Sequence, residues 1–335
     1  MQVCHIKPKS LIKIGLSALM IGLVIYSVDI ERLCATFGSI SLTTVLLVIA
    51  GYTLGQFMSS IKWWTIARSG GIDVPYPTAL KAYFIGMFVN CFGLGMVGGD
   101  VARGLLISQG QPKKTEGVAS VVADRIHGLT VLSVIALLTS AILGNERVPP
   151  WLIQMLFALV LGFITLWVVG PWTLTHLPMV SNTKIATKLK QVAAIFPRDA
   201  KTLAIITTIS FVFHTLQILL HAVMAEGLGV SIPLATLFVV IPFVNIASSL
   251  PISWNGLGVR EKSYIFFLTA APAIMGVEQS VAFGALWLLA VTTSSAIGGI
   301  VALFSGDLSS LKLARQDAAI HARTQQLAES SRITS

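Results

Sequence analysis

Two stretches decide the reading of this chain. One runs Phe88-Val89-Asn90, then a glycine-rich segment, then Gly98-Gly99-Asp100-Val101-Ala102-Arg103. The other runs Phe243-Val244-Asn245, then a polar, proline-containing segment, then Gly256-Leu257-Gly258-Val259-Arg260-Glu261. Each opens on Phe-Val-Asn, interrupts an apolar run with helix-breaking residues and closes on charge. Glycine- or proline-broken hydrophobic segments at matching places in two halves point to a binding site between inverted repeats.

Composition sets the solvent around these stretches. The 335 residues are 55% hydrophobic and 11% charged, with a mean hydropathy of +0.83. A soluble surface needs about 25% charged residues, so lipid must cover much of this one. The fold class expected is all-α, a polytopic membrane bundle. The net charge of +9 sits in the gaps between apolar runs, which fits the positive-inside rule and anionic lipid headgroups and argues against nucleic acid. Cys4, Cys34 and Cys91 lack any CxxC spacing and read as space-filling.

Runs long enough for about 30 Å of hydrocarbon lie at 11–28, 42–61, 118–143, 151–170, 202–225 and 280–304. The first follows Lys7, Lys9 and Lys13 and precedes Asp29, Glu31 and Arg32 with no small-residue cleavage pattern, so it reads as an uncleaved helix. The two interrupted stretches occupy 78–107 and 232–276. Basic residues set the orientation. Lys62, Arg68, Lys113 and Lys114 flank the first stretch, and the loop at 171–201 and the tail at 306–335 are basic. The loops around the second stretch carry Glu226 and Glu278 instead. The expectation is six full spans plus two re-entrant segments, the first entering from the cytoplasm and the second from outside, with both termini cytoplasmic. Residues 1–305 form one transmembrane domain with repeat halves at 40–143 and 202–304, and 306–335 form a short tail. Two pairs of crossing helices would leave the same ends in place, and that alternative stays open here.

Ionisable groups at membrane depth cost several kcal/mol unless paired or hydrated, so they mark function. Around Asn90, the glycines frame a bend whose free amides, beside Arg103, suit an anion. Asp100 can pair with Arg103 at helical spacing; alternatively, Arg103 snorkels to headgroups. Around Asn245, Pro242 and Pro251 break helices and Arg260 and Glu261 follow a Gly-Leu-Gly turn. A guanidinium there can grip phosphate with two parallel bonds. Asp124 can neutralise Arg125 or His127 at the start of a span. His214, Gln217 and His221 share one helix face and read as a polar stripe, since no HExxH or carboxylate cluster accompanies them. No Walker A, GxSxG or CxxC sequence occurs. No catalytic residue, metal or cofactor is expected.

With these residues in view, the chain resembles the membrane region of bacterial lysylphosphatidylglycerol synthases and its stand-alone relatives. The resemblance rests on Asn90 with Gly98-Gly99-Asp100-Val101-Ala102-Arg103, on Arg125 at a span start, and on Leu250-Pro251 with Gly256-Leu257-Gly258-Val259-Arg260-Glu261. It covers about residues 40–310. Gly93 stands where the family often has proline, and His127 and Gly128 stand near where it often has a carboxylate. The soluble aminoacyl-transferase domain of the full synthases has no counterpart in the residues given, so synthesis of lysylphosphatidylglycerol is not expected.

The resemblance and the residues together imply a flippase-like carrier of an anionic or polyprenyl-phosphate-linked lipid in a bacterial inner membrane. The expected substrate-binding residues are Asn90, Gly98, Gly99, Asp100, Arg103, Arg125, Asn245, Gly256, Gly258, Arg260 and Glu261. The alternative is a non-transporting partner of a lipid-modifying enzyme or glycosyltransferase; an enzyme built on Asp124 and His127 is a third reading. The partner is a membrane phospholipid or polyprenyl-linked lipid, with a second copy or a membrane enzyme left open.

Overall fold

The computed structural model describes residues 38–92, 95–143, 148–176, 191–250, 256–269 and 273–305, with residues 31, 35, 36 and 253. The expected span at 11–28 and the tail at 306–335 lie outside them. No strand occurs among the described residues. The framing helices are α1 (Leu42–Ser69), α2 (Tyr76–Phe92), α3 (Gly95–Ile107), α4 (Lys114–Leu143), α5 (Pro150–His176), α6 (Ala200–Gly227), α7 (Leu234–Ser249), α8 (Val259–Leu268) and α9 (Val277–Ser305). Of these, α1, α4, α5, α6 and α9 are long and apolar enough to cross a membrane. The protein is a polytopic helical membrane bundle.

Local chemistry sets the helix ends. The Ser41 hydroxyl accepts the Thr44 amide (3.1 Å) to start α1. Asp199 accepts the Thr202 amide (2.8 Å) to start α6, a bond that holds the Asp199 carboxyl below the usual carboxylate range. Inside α7, Pro242 has no N–H for the Phe238 carbonyl four residues back. The Thr139 hydroxyl of α4 lies 2.9 Å from that carbonyl. In a dry bundle such a repair is needed, because water cannot supply it. It also ties α7 to α4.

The interrupted stretches are helical hairpins. Gly86 of α2 lies against Gly99 and Arg103 of α3, and Asn90 lies against Gly99. Numbers rise along α2 as they fall along α3, so the two are antiparallel. In the second hairpin, Ser248 meets Gly256 and the rings of Phe243 and Phe267 lie 6.0 Å apart. At about 1.5 Å per residue, the 10 residues of α8 span half of the ~30 Å hydrocarbon. Length therefore rules out α8 as a crossing helix.

The halves share one neighbour pattern. α1 packs on α6. α2 packs on α9 as α7 packs on α4; α3 packs on α4 as α8 packs on α9; α1 meets α9 and α4 as α6 meets α4 and α9. Exchanging α1–α4 with α6–α9 maps the α1–α6 contact onto itself and every other one of these onto its counterpart. The first helix of each hairpin thus leans on the long helix of the opposite half, and the second on that of its own half. α5 stands outside the pattern, packs on α4, and exposes Trp151, Phe157, Leu161 and Val168, as a lipid-facing helix does. The main core forms where α1, α4, α6, α7, α8 and α9 meet, around Val48, Leu132, Met224, Val244, Tyr264 and Phe283.

Candidate functional site

Between the two hairpins lies a cavity of about 290 Å³, lined by every helix except α5. The first hairpin supplies Asn90, Asp100 and Arg103, and the second supplies Asn245, Ser249 and Arg260. The Asn of each Phe-Val-Asn therefore reaches the same space. α1 adds Tyr52, Gln56 and Lys62, α4 adds Asp124 and Arg125, and α6 adds His214 and Gln217.

An ion network closes the first-half side. Asp124 takes Lys62 Nζ at 2.9 Å and Arg103 Nη2 at 3.1 Å. Asp100 takes Arg103 Nε at 3.5 Å and pairs closely with Arg125. Lys62, Arg103 and Asp124 are each at most 6% exposed. The Arg103 guanidinium also lies over Trp63 (4.9 Å) and Tyr83 (5.1 Å), whose ring faces attract a cation. Lys62 Nζ additionally donates to the Asp124 carbonyl at 3.2 Å. Buried ions of this sort are held by mutual pairing, since each alone would be strongly disfavoured.

The second-half side is neutral and aromatic. His221 Nδ1 donates to the Gln217 carbonyl at 2.7 Å, and its Nε2 lies 2.7 Å from the Tyr264 hydroxyl. Rings of Tyr264, Phe283 and Trp287 surround it at 4.3–5.9 Å. His214 Nε2 donates to the Gly128 carbonyl at 3.1 Å.

Arg260 stands apart. It is half-buried, its Nε is buried without a partner, and it forms no ion pair with any described carboxylate. Glu261 does not serve it. The Glu261 carboxylate instead accepts the Gly258 amide at 2.7 Å, closing the start of α8 as a capping group.

Of the residues expected from sequence, Asn90, Asp100, Arg103, Arg125, Asn245 and Arg260 line the cavity. Gly98, Gly99, Gly256, Gly258 and Glu261 are not among its lining residues. Gly98 and Gly99 lie within α3, so the open glycine bend expected at these two residues is corrected to helix. A Cβ on Gly99 would collide with the Gly86 carbonyl and Asn90 Oδ1, so glycine lets α3 approach closely enough to seat Asn90. Gly256 and Gly258 hold φ of 76° and 78°, the left-handed region that favours glycine. Snorkelling of Arg103 is also corrected, because the residue is buried among two carboxylates and two rings. Asp124 neutralises neither Arg125 nor His127. Successive helical residues point about 100° apart, so Asp124 meets Lys62 and Arg103 while Arg125 turns to Asp100.

Lys62 was expected to flank the bundle at the interface and instead lies within it. Its signal was available: a lone lysine inside an apolar helix, next to Trp63.

A model of the lysylphosphatidylglycerol synthase transmembrane region matches residues 10–303. The chain belongs to that family. It is a membrane domain of a kind related to lipid handling. The comparison with curated proteins finds no match.

Proposed function

We propose that this family member is a flippase-type carrier that moves an anionic or polyprenyl-phosphate-linked lipid across a bacterial inner membrane, without covalent chemistry of its own. One observation supports the reading above others: a polar cavity between two hairpins, inside an apolar bundle, that presents Arg260 without a counter-ion. An unpaired cation at membrane depth is disfavoured by up to roughly 2.5–3.5 kcal/mol on insertion scales, and an anionic headgroup would reduce that cost for the half-buried Arg260. The acyl chains would remain in lipid while the headgroup occupied the cavity. The mirrored neighbour pattern supports alternating access, with the two hairpins exchanging roles as the cavity opens to one side and then the other.

The test is leaflet exchange of labelled lipids in vesicles carrying the purified protein. Wild type is expected to accelerate exchange of anionic lipids, and Arg260→Ala to abolish it while the variant keeps the wild-type elution profile. Exchange that persists in Arg260→Ala overturns the assignment. An inactive wild type favours a non-transporting partner of a lipid-modifying enzyme.

The inverted orientation has its own check. In a background without Cys4, Cys34 and Cys91, Gln109→Cys is expected to react with an impermeant thiol reagent only from the cytoplasm. Ser231→Cys is expected to react only from outside. Reaction of both from one side ends the inverted arrangement.

A further inference from the structure

Charge in the cavity specifies more than an anion. Among the described lining residues, Lys62, Arg103, Arg125 and Arg260 are cationic, and Asp100 and Asp124 are anionic. Four against two leaves two positive charges uncompensated, with His214 counted neutral. One surplus charge is spread over Lys62, Arg103 and Arg125, since each carboxylate is shared between two cations. The other sits whole on Arg260. Glu261 is not among the lining residues, and its carboxylate caps the start of α8 through the Gly258 amide instead of pairing with Arg260. The residues of the second hairpin outside the described set, Pro251, Ile252, Trp254 and Asn255, carry no charge.

Of the buried cavity-lining atoms without a hydrogen-bond partner, Asp100 Oδ1, Asp124 Oδ1 and Arg103 Nε already sit in ion pairs, and Asn90 Oδ1 is an acceptor packed against Gly99, which leaves two donors. Arg260 Nε and Gln217 Nε2 are both buried with no hydrogen-bond partner, and Gln217 is only 4% exposed while lining the cavity. Arg103, by contrast, already meets two carboxylates. Arg260 and Gln217 are therefore the groups left free for a ligand oxygen.

We infer that the headgroup subsite is centred on Arg260 and Gln217 and takes a doubly charged phosphate, a phosphomonoester or a disubstituted diphosphate, in preference to a singly charged phosphodiester or a zwitterion. The inference rests on the carrier reading above and narrows its substrate class. A dianion closes the charge balance, a phosphodiester leaves one charge over, and a zwitterion leaves both. In a poorly screened interior that difference is felt strongly. A monoester also offers three terminal oxygens, enough for the two-pronged arginine and an amide at once.

Binding to the detergent-solubilised full chain tests this with three soluble headgroups: glycerol 1-phosphate, glycerophosphoglycerol and glycerophosphocholine. The measurement is made well above the second phosphate pKa of about 6, so that the monoester is a dianion. Glycerol 1-phosphate is expected to bind at least about ten-fold more tightly than glycerophosphoglycerol, with glycerophosphocholine weakest. Arg260→Gln is expected to erase the preference while the elution profile stays that of wild type. Glu278→Gln, outside the cavity, is expected to keep it. Equal affinities, or tighter binding of the diester, overturn the inference.

Two further arms separate the sources of phosphate and the two levels of the argument. Phosphatidic acid in mixed micelles is expected to displace glycerol 1-phosphate. If it does not, and inorganic phosphate binds as tightly as the monoester, the site serves free phosphate and the lipid subsite falls. In vesicles of phosphatidylcholine, faster exchange of labelled phosphatidic acid than of phosphatidylglycerol supports the inference. Equal exchange of both sinks the dianion preference while leaving transport standing. No exchange of either, with the monoester preference intact, removes transport and keeps the subsite.

Discussion

The two hairpins reach one cavity from opposite halves, yet they deliver their arginines in different states. α3 brings Arg103 already bound to Asp100 and Asp124 and layered on Trp63 and Tyr83. α8 brings Arg260 with its adjacent carboxylate turned back to the helix start. Behind Arg103 the walls are ionic, around Lys62 and Asp124; in the second half they are aromatic, around His221, Tyr264 and Trp287. The same backbone plan thus carries a compensated cation on one side and an available one on the other. Pairing makes the first structural. Its absence makes the second a candidate for binding.

That contrast can be broken at its strongest point first. Asp124→Asn removes the carboxylate shared by Lys62 and Arg103 and leaves two buried cations with weakened support. A loss of about 3–5 kcal/mol is expected, read as a sharp fall in melting temperature and in membrane yield. A variant as stable as wild type would mean that the network is hydrated and not structural. Next in size is Tyr264→Phe, which leaves His221 Nε2 without its hydroxyl in a closed aromatic pocket. A cost of about 1–3 kcal/mol is expected, with exchange activity per folded molecule retained. A selective loss of activity would instead make the aromatic side part of the site. Smallest on stability is Arg260→Gln. Removing a cation that has no partner is expected not to destabilise the fold, so melting stays at or above that of wild type, while exchange is lost. A large destabilisation would show that Arg260 is as structural as Arg103.

Much of this architecture is legible before any coordinates. Long apolar runs identify α1, α4, α5, α6 and α9, because crossing about 30 Å of lipid requires a continuous apolar helix. Glycine and proline mark both breaks, because little else interrupts a helix in a medium without water. Arg260 is legible as a charge in apolar surroundings. The partnerships are not. Asp124 sits beside Arg125 in sequence, but α4 turns them toward different helices. Lys62 reads as an interfacial anchor because, along the chain, a basic residue near the end of an apolar run cannot be told from one inside the bundle. The glycines at 98 and 99 read as a flexible turn, whereas packing uses their missing side chains to bring α3 against α2.

Sequence by itself determined that this is a helical membrane protein with two interrupted segments and charged residues within them, since composition and run length fix what lipid will accept. Only the tertiary structure decided which charges cancel. Pairing depends on distances of about 3 Å between helices remote along the chain, such as Lys62 to Asp124. Linear order does not encode those distances until the helices have packed.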